Sequence, residues 1–185
     1  MHQHFRPQSQ IVAYHEAGHA VMAMALGFSV SEISCIATET SKGHTVWHPP
    51  SQMTQEARIG AVLVCAAGIA ADYLNWESEE GRDENENSLG HNGDRQNAAI
   101  HLSELGQHDA FDLYVAIAIH HLKTPEILAF VASFAQILEK VGTINGQDVL
   151  QRAKEHVPKI SSAELRQFKE LADLDIRLKS QGNTA

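Results

Sequence analysis

The spacing of apolar positions predicts a mostly helical chain. A first helix is predicted over residues 9–26, where apolar side chains recur at helical spacing: Ile11, Tyr14, Val21, Met22 and Ala25. Ser9 is a residue type that caps helix N-termini, and Gly27 can adopt the left-handed conformation that follows many helix ends. A second helix over residues 54–76 is apolar nearly all round in its middle, so we expect it to be central and buried.

Two short segments between these helices have the character of strands. Residues 30–36 are rich in β-branched side chains and partly alternate, and residues 43–48 are similar. The polar residues between them indicate a hairpin turn, and Pro49 and Pro50 end the second strand because proline cannot donate to a β-ladder. The pattern therefore predicts one small antiparallel hairpin.

The remainder of the chain is predicted to be helical after an acidic loop. This loop, residues 77–93, carries six carboxylates and is expected to be mobile. A third helix begins near Asp94, and two more fill residues 110–141, separated at Thr124-Pro125. A short helix follows over residues 147–156. The last helix begins at the Ser161-x-x-Glu164 capping box and ends at about residue 178.

The fold class is therefore mainly α with a small antiparallel β-hairpin. We divide the chain into a domain at residues 1–155 and a C-terminal helical extension at residues 156–185.

Charge and composition narrow the possible partners. The net charge of −9 argues against nucleic acid and anionic membranes, which attract basic surfaces. The most apolar stretch, residues 59–71, is too short to span a membrane, and the first ten residues lack the apolar stretch of a signal peptide. Without a secretory signal, Cys35 and Cys65 are expected to be buried, reduced thiols in the cytosol. They do not form a C-x-x-C pair, so a thiolate zinc site is not expected.

The first helix carries the strongest chemical signal, His15-Glu16-Ala17-Gly18-His19, which fits H-E-x-x-H. Residues four apart lie on one helix face, so His15 and His19 can bind one Zn²⁺. Glu16 is rotated by about 100° from His15, beside the metal, where it can take a proton from water whose pKa zinc lowers to about 7. A chain with 12 histidines can also match this pattern by chance, but here the motif lies inside an apolar helix.

A catalytic zinc site needs a third protein ligand, which the residues alone do not identify. His120 and His121 are adjacent on a helix and face different directions, whereas His44 and His48 flank the second predicted strand. Asp94 is at first sight the cap of the third helix. Gly18, in mid-helix, suits a close approach on the metal-facing side.

Five segments over residues 9–155 together carry a family resemblance. They read Ile-Val-Ala-Tyr-His-Glu-Ala-Gly-His-Ala-Val from Ile11, Gly-His-Thr-Val-Trp-His-Pro from Gly43, Ala-Gly-Ile-Ala-Ala-Asp from Ala67, Gly-His-Asn-Gly-Asp-Arg-Gln-Asn-Ala from Gly90, and Ile-Leu-Glu-Lys-Val-Gly-Thr-Ile-Asn-Gly-Gln-Asp-Val from Ile137. In this order they resemble the peptidase domain of the FtsH-type ATP-dependent zinc metalloproteases. The resemblance implies a zincin-like metallopeptidase fold.

The resemblance also implies roles for individual residues. It makes Asp94 the third zinc ligand, with Asp72 as a competing ligand or as a hydrogen-bond partner of a ligand histidine. It makes the second strand, at Gly43, His44, Thr45 and Val46, the segment that pairs with extended substrate.

Three features depart from the family. The sequence contains no G-x-x-x-x-G-K-[ST] phosphate loop and no transmembrane anchor before the domain. The acidic loop is longer than in the family, and Ile69 occupies the family's arginine position.

The expected function is zinc-dependent hydrolysis of peptides or unfolded proteins by the stand-alone chain without ATP, with a homo-oligomer or a separate unfoldase partner as further alternatives. The alternative is an inactive binding or regulatory module that retains the fold and the zinc. Hydrolysis of a non-peptide amide would use the same chemistry.

Overall fold

The described residues form a mostly helical protein with one small sheet. The computed structural model describes residues 6–39, 41–79, 92–153 and 156–182, with the backbone alone at residues 149 and 150. Its elements are α1 Gln8–Ala25, β1 Ser29–Ser34, β2 His44–His48, α2 Gln55–Ser78, α3 Asn92–Leu105, α4 Phe111–Leu122, α5 Pro125–Val141, β3 Thr143–Asn145, α6 Gly146–Ala153 and α7 Ser162–Gly182. The expectation of a mainly α fold is confirmed. Most of the predicted acidic loop, residues 80–91, lies outside the described residues.

The predicted central helix is confirmed as α2. It packs against α1, α3, α4 and α7, and nearly all of its side chains between Ala57 and Asn75 are buried. Its first turn is held by Thr54, whose hydroxyl accepts a hydrogen bond from the backbone N–H of Ala57 at 3.2 Å. Helix α2 is long and apolar enough to span a membrane. However, 83% of its most apolar 18-residue segment is buried inside the protein, as in a core helix.

Gly18 brings α1 against α2. A Cβ atom at Gly18 would meet the carbonyl oxygen of Ala67 and lie 2.6 Å from the Cβ of Ala71. The close approach that the sequence indicated at Gly18 is therefore made by the backbone of α2. The same segment of α2 also lies against the rings of His15 and His19.

The sheet has one strand more than the predicted hairpin. Its order is β2-β1-β3, with both pairs antiparallel. In the centre of the sheet, Ile33 of β1 is paired with Thr45 on one side and with Ile144 on the other. The three-residue strand β3 is too short to show a strand pattern, because alternation needs about four residues to be visible.

Local signals at helix ends are partly confirmed. Gly27 has a φ of 76°, as expected of the residue after α1. Ser161 and Glu164 form the predicted reciprocal capping box, with backbone-to-side-chain distances of 2.8 and 3.3 Å. Ser9 does not cap α1: Pro7 occupies the N-cap position, and the Ser9 hydroxyl donates instead to Glu139 at 2.7 Å.

The C-terminal helix α7 lies on the same core as the other helices. It packs against α2 and α4, and Ala172 is fully buried. Buried Gln107 donates to Asp173 of α7 at 2.6 Å and accepts from the Tyr114 hydroxyl at 2.8 Å, so its polar atoms are satisfied by both neighbouring helices. Cys35 and Cys65 are free thiols; Cys65 is buried as predicted, whereas Cys35 is only partly buried.

Candidate metal centre

The two motif histidines lie one turn apart on α1 and point to the same place. Their Nε2 atoms are 3.0 Å apart. His19 is buried, and its Nδ1 lies 2.7 Å from the carbonyl oxygen of Val64 on α2. Because a carbonyl oxygen only accepts hydrogen bonds, Nδ1 of His19 carries the proton, and in the neutral ring the lone pair is on Nε2. This is the tautomer that a metal ligand requires at Nε2.

The first turn of α3 brings Asp94 to these histidines. Its Oδ2 lies 3.0 Å from Nε2 of His15, and its Oδ1 lies 3.3 Å from Nε2 of His19. Among the described residues, His15, His19 and Asp94 form the group that could hold a metal, with ligand atoms all within 4.8 Å of one another. The structure thus brings together the three residues predicted as ligands.

Asp72, the competing ligand in the sequence, lies outside this group. Its carboxylate accepts a hydrogen bond from the Arg6 guanidinium at 2.8 Å, and Arg6 also donates to Asn75 at 2.8 Å and to the Asp72 carbonyl oxygen at 3.2 Å. All three residues are buried. Asp72 therefore anchors the segment before α1 to the end of α2.

Gly68 of α2 makes room for the histidine rings, which sequence reasoning missed. A Cβ atom at Gly68 would collide with the imidazole of His19 and would lie 2.8 Å from Cε1 of His15. The signal in the sequence was present, since Gly68 belongs to one of the five resembling segments, but no role follows from its spacing. The absence of a side chain at this point lets both rings turn toward Asp94.

The donor set fits Zn²⁺. Two imidazole nitrogens and one carboxylate oxygen are a known catalytic zinc set that leaves one coordination position open. Tetrahedral bonds of about 2.0–2.1 Å place two ligand nitrogens roughly 3.3 Å apart, close to the observed separation of 3.0 Å.

Charge at this site favours a cation. Burial lowers the pKa of His19, but the adjacent Asp94 carboxylate outweighs burial and raises it to about 9. Burial alone would raise the pKa of the Asp94 carboxyl group, but the two adjacent histidines outweigh burial and hold that pKa well below its usual range. The carboxylate therefore stays ionised, and it stabilises positive charge on its neighbours whether a proton or a metal supplies it.

Glu16, the predicted acid–base residue, lies between the two histidines in sequence and is 6% exposed. The hydroxyl of Thr45 donates to its Oε2 at 2.8 Å and lies 3.0 Å from its main-chain oxygen. Oε1 receives no side-chain hydrogen bond from the described residues. One carboxylate oxygen of Glu16 is therefore held by β2, and the other is left for another partner.

A cavity of about 480 Å³ contains these groups. His15, Glu16, His19 and Asp94 line it on the side of the helices. Of the four predicted substrate-binding residues, Gly43, His44 and Thr45 also line it, whereas Val46 is 39% exposed and is not part of its wall.

Strand β2 is at the edge of the sheet beside this cavity. Among the described residues it pairs only with β1, so its other edge has no partner strand. Successive side chains of a strand point to opposite faces. Accordingly Thr45 contacts α1, while His44 pairs with Glu32 at 2.8 Å on the other face.

No protein-family model matches the chain, and no curated protein matches it. The resemblance to FtsH-type peptidase domains stays a prediction. The function is therefore argued from the geometry of the cluster.

Proposed function

We propose that this protein is a zinc-dependent peptidase that binds Zn²⁺ through His15, His19 and Asp94 and uses Glu16 as its acid–base group. One observation carries the proposal: the ligand atoms from α1 and α3 converge within 4.8 Å, on the cavity that Glu16 also lines. A cluster that only stabilised the fold would not need an acid–base group beside an open cavity.

The chemistry is divided between the metal and Glu16. When bound, zinc supplies a Lewis acid that acidifies water and polarises the scissile carbonyl. Glu16 accepts the proton of the attacking water and then passes it to the leaving amine nitrogen. Its burial and its position in the wall of the same cavity as both histidines support this role. Proton transfer by a positioned group contributes about 10²–10⁴-fold to the rate.

The edge of β2 supplies a binding surface for an extended peptide. A chain that lies along this edge would pair its backbone N–H and C=O groups with those of Gly43, His44, Thr45 and Val46. It would then cross the cavity that contains Glu16. The edge strand beside the cavity supports peptides or unfolded segments as substrates. The zincin-like fold of the FtsH type, and cytoplasmic action alone, as a homo-oligomer or beside a separate unfoldase, are proposed from the sequence.

The direct test compares zinc content and peptide hydrolysis in two variants. Glu16→Gln should keep the metal and the fold but lose hydrolysis by about 10²-fold or more, because only proton transfer is removed. His15→Ala should lose most of the metal. Near-normal turnover in Glu16→Gln would refute the mechanism. A wild-type protein that binds zinc but cleaves no peptide would favour the inactive binding module.

The ligand set is tested by comparing two aspartates. Asp94→Ala should sharply weaken zinc binding, whereas Asp72→Ala should bind zinc but unfold more easily, by about 3–5 kcal/mol, because it leaves Arg6 buried without its carboxylate. Zinc affinity is measured by competition with a chelator, and stability by urea unfolding of the metal-free proteins. The opposite order of zinc affinities would make Asp72 the ligand.

A further inference from the structure

We propose that Thr45 is a positioning residue for Glu16: its hydroxyl holds one carboxylate oxygen so that the other faces the reacting water. The inference rests on the proposed function and changes the role expected of Thr45 from the sequence. There Thr45 was one of four substrate-binding residues. The structure gives its side chain a separate task.

The contact itself has the geometry of an ordinary hydroxyl–oxygen hydrogen bond. Thr45 Oγ1 lies 2.8 Å from Glu16 Oε2, within the range for a hydroxyl donating to oxygen. The same Oγ1 is 3.0 Å from the Glu16 carbonyl oxygen, so it lies against both ends of one residue. Glutamate has three side-chain torsions, and a hydrogen bond at one oxygen restricts the direction of the other.

Glycine at position 43 allows β2 to lie close enough for this contact. A Cβ atom at Gly43 would lie 2.8 Å from the carbonyl oxygen of Ser34 and 3.1 Å from Cγ of Glu16, and it would also press on Val12. Any side chain there would push β2 away from α1. Two residues further along the same face of the strand, Thr45 then reaches the carboxylate.

The face that Thr45 occupies separates orientation of Glu16 from binding of substrate. Its pairing partner in β1, Ile33, is fully buried, so this face of the sheet is turned to the core and to α1. The substrate would pair with the backbone of β2 and not with this hydroxyl. Loss of the hydroxyl should therefore slow the chemical step and leave substrate binding nearly unchanged.

The first experiment measures kcat and KM for three variants of the zinc-loaded chain. Thr45→Val keeps the shape and removes the hydroxyl, and we expect kcat to fall about 10–100-fold with KM within about twofold, since small misplacements of a catalytic group cost up to about 10²-fold. Thr45→Ser should restore most of kcat. The matched control, Thr143→Val in β3, removes a hydroxyl bonded to Ser34 at 2.9 Å in the same sheet and should leave kcat unchanged.

The second experiment needs neither metal nor activity. A double-mutant cycle of Thr45→Val and Glu16→Ala in the metal-free chain, followed by urea unfolding, should show coupling of about tenfold or more in the unfolding equilibrium constant. Additive effects would mean that the two side chains do not interact and would overturn the proposal.

The outcomes separate this proposal from the proposed function. An active wild type with equal kcat in Thr45→Val overturns the role of Thr45 and leaves the peptidase intact. A rise in KM without a fall in kcat would return Thr45 to substrate binding. A wild type that cleaves no peptide overturns both, even if the coupling is present.

Discussion

Gly68 shows how a single residue without a side chain can shape the candidate metal site. The two histidine rings lie edge to face, with centroids 4.6 Å apart, directly over this position of α2. Alanine would be a better helix former by about 1 kcal/mol. Glycine therefore costs helix stability here, and the benefit is space for the rings.

We expect Gly68→Ala to weaken zinc binding by about 10–100-fold, the range found when groups that orient metal ligands are disturbed. The matched control is Gly60→Ala on the same helix, where the new Cβ would lie 2.8 Å from Cζ of Phe28. Both variants should lose stability through overpacking, but only the first should lose zinc affinity in a chelator competition. Equal zinc affinity in the two variants would contradict the role of Gly68.

Protons should compete with zinc for His19. Its pKa is raised to about 9 in the metal-free protein, so at pH 7 the ring carries a proton that it must lose to bind the metal. Zinc affinity should therefore rise with pH, by about tenfold per unit for each proton released, and level off near pH 9.

Calorimetric titration at pH 7 in two buffers of different ionisation enthalpy measures this release. The expected result is about one proton or more per zinc bound. Binding without proton release at pH 7 would show that the Asp94 carboxylate does not hold His19 protonated.

At the scale of elements, the contact between α1 and α2 depends on Gly18. Glycine to alanine inside an unobstructed helix would raise stability by about 0.5–1 kcal/mol. At Gly18 the added Cβ would meet the backbone of α2, so we expect the opposite sign, a loss of about 1–3 kcal/mol in urea unfolding. Gly93→Ala on α3, where nothing lies within 4 Å, serves as the control and should not destabilise. A gain in stability at Gly18 would mean that the helices do not approach so closely.

The elements that could be predicted are those whose stabilising interactions join residues close together in the sequence. The cap at Ser161 bonds to a backbone atom three residues away, so the sequence around it contains the whole interaction. The 3.6-residue period of α1 likewise requires only neighbouring positions. Where the partner is distant the prediction was wrong or missing: Ser9 bonds to Glu139, and β3 owes its strand conformation to pairing with β1.

The residues of the candidate site also differ in whether local sequence or distant contacts bring them together. His15 and His19 are brought together by helix geometry alone, and their convergence followed from the motif. The place of Asp94 depended on the family resemblance, because its helix follows a loop that no local pattern positions. The contact of Thr45 with Glu16 depends on how closely a strand approaches a helix, which no spacing in the sequence encodes.

At the scale of the molecule, the site collects residues from three separate segments. The candidate zinc ligands come from α1 and α3, the residue that contacts the Glu16 carboxylate comes from β2, and α2 packs behind α1 and α3. The cavity of about 480 Å³ is in the range of small-ligand sites, whereas a folded domain of 100 residues has a radius of gyration of about 13 Å. A folded protein therefore presents its backbone to Glu16 only through an exposed segment that is already unpaired, or after the domain opens.

We expect the 185-residue chain to cleave unfolded proteins in preference to folded ones, without ATP. Pairing with the edge of β2 needs free backbone N–H and C=O groups, which a folded domain has already paired. Opening a stable domain costs about 5–15 kcal/mol, and cleavage should follow the fraction that is open. The sequence has no G-x-x-x-x-G-K-[ST] loop through which nucleotide hydrolysis could lower that cost.

The measurement compares a casein-like protein with a stable folded domain, each with and without ATP. Glu16→Gln serves as the control for contaminating proteases. Equal cleavage of both substrates, or a strict need for ATP, would contradict the expectation, because either result would require access to the site by a route other than an extended chain along β2.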